Sequence, residues 1–133
     1  MPSVALDSGP AYALFDKSDK HHDRAVRFVR SAKAGSLVTN IAVITEVAYL
    51  LARRAPEFLA WVHMAAEIDK DTPADLPRIR EFMLKYRDSQ PDFTDASLIA
   101  MCERMGIRDI ATIDVRDFSI YRTRDGKRLS IAF

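Results

Sequence analysis

Ser3-Val4-Ala5-Leu6-Asp7-Ser8-Gly9-Pro10 compresses a strand and a helix start into one short stretch. The apolar run Val4-Ala5-Leu6 reads as a buried strand ending at Asp7, and Ser8, Gly9 and Pro10 supply cap and turn chemistry for a helix that follows at once. An acid therefore stands where a strand emerges from the core. The step repeats downstream. Ser36-Leu37-Val38-Thr39 is a second strand, and Thr39 or Asn40 is placed to cap a helix carrying Ile41, Val43, Ile44, Val47, Leu50 and Leu51. Between the two units, a helix over His22–Lys33 sets Ala25, Val26, Phe28, Val29 and Ala32 against Arg24, Arg27 and Arg30, and Gly35 stops it.

The second half follows the same logic. Pro56 begins a helix through Phe58, Leu59, Trp61 and Val62, and a weakly signalled strand is expected around Met64–Ile68. The turn sequence Asp69-Lys70-Asp71-Thr72-Pro73 precedes a helix of Leu76, Ile79, Phe82, Met83 and Tyr86 that breaks at Asp88-Ser89-Gln90-Pro91. Another helix opens at Asp92 and ends at Gly106. Asp109-Ile110-Ala111-Thr112-Ile113 is then a strand ending at Asp114, and a last strand spans Leu129–Phe133 after the Asp125-Gly126 turn. Trp61, Phe82, Met83 and Met105 are expected in the core. Strands alternating with helices predict an α/β, three-layer architecture: a central, mostly parallel sheet flanked by helices.

Composition sets outer limits. A chain of 133 residues suits a single domain over 1–133, and 48% hydrophobic with 29% charged residues excludes the signature of disorder. A formal charge of +1 lacks the strongly basic balance of many nucleic-acid binders, yet is compatible with a carboxylate site whose cations attract phosphate. Cys102, the single cysteine, lies in an apolar run as a buried small side chain, so no disulfide framework forms. No run reaches the ~18 to 20 apolar residues of a membrane span. The expectation is a cytoplasmic protein with no membrane association.

In a parallel sheet, Asp7 and Asp114 emerge at the same edge, beyond the carboxyl ends of the strands where such folds bind ligands. Asp95, in the first turn of its helix, shares a stripe with Leu98, Ile99 and Cys102 and so faces the packed side. Glu46 has Ala42, Val43, Tyr49 and Leu50 at helical neighbour positions and is also expected toward the packed side. Several buried ionised carboxylates are tolerable only around cations, and oxygen-only ligands suit Mg²⁺ or Mn²⁺. His21, His22 and His63 show no zinc-ligand spacing. Each acid has a plainer alternative: Asp7 as a helix cap, Asp92 and Asp95 as an Asp-x-x-Asp cap, Glu46 as a solvated helix residue, Asp117 as a turn residue.

Ala5-Leu6-Asp7-Ser8, Ile44-Thr45-Glu46-Val47, Asp92-Phe93-Thr94-Asp95-Ala96-Ser97-Leu98-Ile99-Ala100 and Ala111-Thr112-Ile113-Asp114-Val115-Arg116-Asp117-Phe118 resemble, in this order, the successive motifs of PIN domains, especially those of VapC-type toxins. The likeness runs from Val4 to the last strand, and the Thr-x-Asp-x-x-Asp-Phe ending is its most specific part. The resemblance implies a PIN-like fold and a Mg²⁺-dependent ribonuclease, with Mn²⁺ as substitute, that hydrolyses single-stranded RNA. By motif position it implies Asp7, Glu46, Asp95 and Asp114 as metal ligands and catalytic acids, with Asp117 as an auxiliary catalytic acid. Ser8 and Thr112 match small hydroxyl positions that orient carboxylates. It further implies a homodimer and a small VapB-like antitoxin whose tail blocks the pocket. Arg53, Arg54, Arg116, Arg122 and Arg124 are candidate phosphate contacts. The alternatives are a PIN nuclease of RNA processing that is no toxin, an acidic-pocket phosphotransfer module, whose paired early acids and late strand-end lysine do not appear where expected, and a non-catalytic binding module.

Overall fold

The computed structural model describes residues 3–133. Its strands are β1 (Val4–Leu6), β2 (Leu37–Asn40), β3 (Glu67–Asp69), β4 (Asp109–Ala111) and β5 (Ser130–Ile131). Its α-helices are α1 (Ser8–Phe15), α2 (His22–Ser31), α3 (Ile41–Leu51), α4 (Ala55–Ala65), α5 (Leu76–Lys85), α6 (Phe93–Met105) and α7 (Val115–Ile120). The strands form one all-parallel sheet in the order β3-β2-β1-β4-β5. Every parallel pairing requires a crossover, and the intervening helices provide it while covering the sheet.

The strand order reverses beside β1. The chain builds outward from β1 through β2 to β3, then crosses back to lay β4 on the other side of β1, with Leu6 in register with Ala111. The crevice beyond the carboxyl ends of β1 and β4 is thus the switch point at which doubly wound sheets bind ligands.

Leu6, Val38 and Ile110 of the sheet pack with Val43, Phe58, Ile79, Phe82, Leu98, Ile99, Met101, Phe118 and Tyr121, all nearly or fully buried. Each large aliphatic side chain taken out of water stabilises the fold by about 1.5–3 kcal/mol. Helix α6 is the central one, with Asp95 to Cys102 buried without a break. A helix enclosed on all sides shows no clean amphipathic stripe, so its boundaries come from its caps. Asp92 accepts from the Asp95 N–H at 2.8 Å, and Gly106 closes the helix at φ +70°, a conformation that side chains with a Cβ adopt at a cost.

A web of buried hydroxyl and amide groups ties the strand ends together. Thr39 Oγ1 donates to the Leu6 carbonyl at 3.0 Å, locking β2 to β1. Asn40 caps α3 by accepting from the Val43 N–H at 3.1 Å, and its amide donates to Ser97 Oγ on α6 at 3.0 Å. The first turn of α6 is therefore held to the end of β2. Gly9 closes the other flank: a Cβ there would lie 2.9 Å from Ile113 Cδ1, so its bare backbone lets α1 approach the segment leaving β4.

The structure departs from the sequence reading in several places. β3 lies at Glu67–Asp69, later than the expected Met64–Ile68, because α4 continues through Ala65. The β4 and β5 ladders are shorter than expected. Residues 115–120 form a helix that was not expected. Met105 is 38% exposed rather than core, since the helix turns outward before Gly106. Tyr49 and Leu50, taken as packed neighbours of Glu46, are exposed.

Candidate active site

Asp7, the residue after β1, is an extended N-cap of α1. Its Oδ1 accepts from the Ser8 N–H at 2.7 Å, and its Oδ2 accepts from Thr112 Oγ1 at 2.7 Å. The capping reading and the site reading thus describe the same carboxylate. Burial pushes its pKa up, against the lowering effect of the Thr112 and Ser8 hydrogen bonds, and the charges of Glu46 and Asp92 add to the rise.

Asp114 caps α7 in the same manner. Its backbone N–H donates to Thr112 Oγ1 at 3.0 Å, while its Oδ1 accepts from the Asp117 N–H at 3.3 Å. One threonine hydroxyl therefore joins the ends of β1 and β4. Asp117 follows in the first turn of α7, which turns its side chain back toward α6.

Asp95 enters from α6, 8% exposed. One carboxylate oxygen from each of Asp95, Asp114 and Asp117 lies within 4.8 Å of the others. Such crowding is written in the proton affinities of Asp95 and Asp114. Burial first, then the charges of Asp92, Asp7, Asp114 and Asp117, push Asp95 up to about 8. Burial first, and then a hydrogen bond with the Asp117 side chain, push Asp114 up to about 6. Like charges gathered in a poorly hydrated place hold on to protons unless a cation replaces them.

Asp7 and Glu46 stand outside this close trio. Asp7 remains within its electrostatic reach, since its charge raises both Asp95 and Asp114. Glu46 is half-buried on α3 and lines an apolar groove of about 580 Å³ together with Ile41, Leu76, Phe93 and Thr94, the last being the neighbour of Asp95. Its charge reaches Asp7.

Two participants escaped the sequence reading. Asp92, weighed only as a cap, exerts the strongest charge effect on Asp95. Tyr121, at the C-terminal end of α7, is 1% exposed and packs edge-on against Phe82, Tyr86 and Phe118. The spacing Asp114, Asp117, Tyr121 along one helical face was the signal for it. Among the arginines, Arg122 donates to the carbonyls of Ser119, Ile120 and Tyr121 and so caps α7. Arg54 approaches Asp16 at 3.8 Å and Arg124 approaches Glu81 at 3.6 Å. Arg53 and Arg116 are exposed and make no ion pair among the described residues.

The donor set fits a hard divalent cation. It consists of carboxylate oxygens without nitrogen or sulfur, close enough for one ion to touch three side chains, in keeping with Mg²⁺ or Mn²⁺ and against zinc. A parallel α/β sheet with such an acid pocket at its switch point is suited to holding a divalent cation. Residues 4–124 match the PIN domain family model, and the chain belongs to the PIN domain family. It is 27% identical over 134 residues to ribonuclease VapC26 of Mycobacterium tuberculosis, an alignment covering 96% of this chain and 98% of that protein. Its fold also matches the crystal structure of M. tuberculosis VapC20, described as a Sarcin-Ricin loop cleaving toxin, with a TM-score of 0.76 and 21% identity over 95% of this chain and 99% of that one.

Proposed function

We propose that the protein is a divalent-cation-dependent endoribonuclease that hydrolyses phosphodiester bonds of single-stranded RNA, and that it is the toxin of a toxin–antitoxin pair. The observation that carries this reading is the meeting of Asp95, Asp114 and Asp117 within 4.8 Å beside the strand-end Asp7. These four residues hold Mg²⁺ or Mn²⁺, with Glu46 completing the acidic rim on the side from which substrate approaches. Asp117 serves the chemistry as well as the cation, as its place beside Asp114 supports. When bound, such a cation supplies Lewis acidity toward a phosphoryl oxygen and a water of lowered pKa. Thr112, Ser8 and Asp92 orient the carboxylates or tune their charge. Arg116, exposed on α7 between two of the acids and without an ion-pair partner among the described residues, is the cation best placed to hold an RNA phosphate.

The relatives' names support the toxin reading. The apolar groove along Ile41, Leu76 and Phe93, with these three side chains 57%, 50% and 42% exposed, suits the apolar residues of a small VapB-like antitoxin whose tail covers the acids. Exposed Tyr49, Leu50 and Met64 on α3 and α4 support a homodimer.

Asp7→Asn and Asp95→Asn test the assignment. Each keeps side-chain volume and removes a charge, so each is expected to abolish RNA cleavage with the fold intact, read by gel assay and circular dichroism. Full activity in both variants refutes the assignment.

A further inference from the structure

Two buried groups in this structure lack what the other has. The hydroxyl of Tyr121 is sealed from solvent and has no hydrogen-bond partner among the described residues. Asp95 is 8% exposed, and among the described residues no hydrogen bond reaches its carboxyl oxygens, although the Asp7 carboxylate accepts from the Ser8 N–H, Ser8 Oγ and Thr112 Oγ1, and Asp114 accepts from the Asp117 N–H. Buried polar groups in folded proteins are overwhelmingly paired, and an unmet hydroxyl is worse for stability than either a bonded hydroxyl or a plain phenyl ring.

Asp117 links them, since one of its carboxylate oxygens lies within 4.8 Å of one of Asp95. Asp114, Asp117 and Tyr121 recur at i, i+3 and i+7 across α7, which puts them on one face, and the Tyr121 N–H closes the helix by donating to the Asp117 carbonyl at 3.1 Å. The ring is held from the side by Phe82, Tyr86 and Phe118 at centroid distances of 5.0, 5.3 and 5.6 Å, which leaves the hydroxyl as the polar end of an otherwise apolar clamp. Burial raises the phenol's pKa, and the charges that raise it further are, in order, those of Asp95, Asp117, Asp114 and Asp92. A carboxylate that gives one oxygen to a cation keeps a second oxygen that gains from a donor.

We propose that Tyr121 is a positioning residue of the nuclease site, its hydroxyl donating to the Asp95 carboxylate when that side chain holds a divalent cation. This rests on the cation-site reading given above. The phenol touches neither substrate nor cation; it acts by fixing the rotamer of Asp95 from beneath.

The test uses Mn²⁺ as the probe, with wild type, Tyr121→Phe and Tyr86→Phe compared by calorimetric titration, by melting in EDTA and in Mn²⁺, and by RNA cleavage. Tyr121→Phe keeps the ring and its packing. Its Mn²⁺ affinity is expected to fall about tenfold, in the range typical of groups that orient metal ligands. Its kcat should fall with KM little changed, and its melting temperature in EDTA should equal or exceed that of wild type. Tyr86→Phe, which alters the same aromatic cluster but only the bond from the Arg122 N–H, should leave Mn²⁺ affinity unchanged. Mn²⁺ affinity of Tyr121→Phe within twofold of wild type overturns the proposal, as does an equal loss of melting temperature with and without Mn²⁺. If wild type itself fails to bind Mn²⁺, the cation-site reading falls and the proposal falls with it, an outcome distinct from failure of the tyrosine alone.

Discussion

Thr112 Oγ1 donates to Asp7 Oδ2 at 2.7 Å across 105 residues of sequence, and the same oxygen accepts from the Asp114 N–H at 3.0 Å. A hydroxyl is the smallest group that can do both, because it offers one donor and two lone pairs. It makes the two central strand ends a single unit. Replacing it by an isosteric apolar side chain leaves the Asp7 carboxylate buried with one donor fewer and frees the turn at Asp114.

Thr112→Val is therefore expected to reduce RNA cleavage about 10- to 100-fold, as for other groups that orient metal-binding side chains, and to destabilise the fold by about 1–3 kcal/mol. Thr112→Ser should recover most of both. Cleavage kinetics and urea unfolding measure the two effects. Equal activity of the valine variant and wild type contradicts the role.

The rise in the Asp95 and Asp114 pKa values fixes the sign of a pH effect. Against an ordinary value of 3.8, the folded metal-free protein keeps the Asp114 proton to about 6 and the Asp95 proton to about 8. Between the ordinary value and these raised values the folded chain binds more protons than the unfolded chain, so stability is fully present below about pH 4 and declines as pH rises toward about 8. Melting temperature in EDTA should fall across that window. Asp95→Asn should flatten the part between about pH 6 and 8, and slopes identical to wild type in that part would show that Asp95 does not titrate there. Added Mn²⁺ should reverse the trend, because deprotonated ligands bind it better at higher pH.

Arg104 ties three segments to α6 away from the acid site. It meets Asp69 at 2.6 Å and Asp75 at 2.8 Å, both buried, and approaches the exposed Asp71 at 3.6 Å. Arg104→Met leaves two buried carboxylates unpaired. Since Arg104 is 31% exposed, the cost is expected near 2–3 kcal/mol, at or below the range for breaking a fully buried pair. A urea midpoint unchanged from wild type contradicts this.

The strand-to-helix steps at Asp7 and Asn40 were legible because a short apolar run meeting cap residues has one physical reading. Helix α7 was not, although Asp114 and Asp117 repeat the Asp-x-x-Asp spacing that marked the start of α6 at Asp92 and Asp95. Its six residues are too few for a hydrophobic period to show, and only the cap betrays it. The shift of β3 has a similar origin, since α4 runs on through His63, Met64 and Ala65, residues with no stop signal. The acids themselves were found by strand-end and helix-start position. Their division into a close trio, a strand-end partner in Asp7 and a groove-lining residue in Glu46 depends on side-chain directions set by the Thr39, Asn40, Ser97 and Thr112 web, which spans contacts that no local pattern encodes. Tyr121 lies among the polar residues Ser119, Arg122 and Arg124, and only its spacing from Asp114 and Asp117 pointed to the site before its buried hydroxyl was seen without a partner.

The proposed cation-dependent ribonuclease activity rests on these carboxylates. Its most direct test is cleavage of a single-stranded RNA by the purified protein, titrated with Mg²⁺ or Mn²⁺ after treatment with EDTA. No cleavage in EDTA and full recovery on adding either ion is the predicted result; undiminished cleavage by the chelated protein contradicts it.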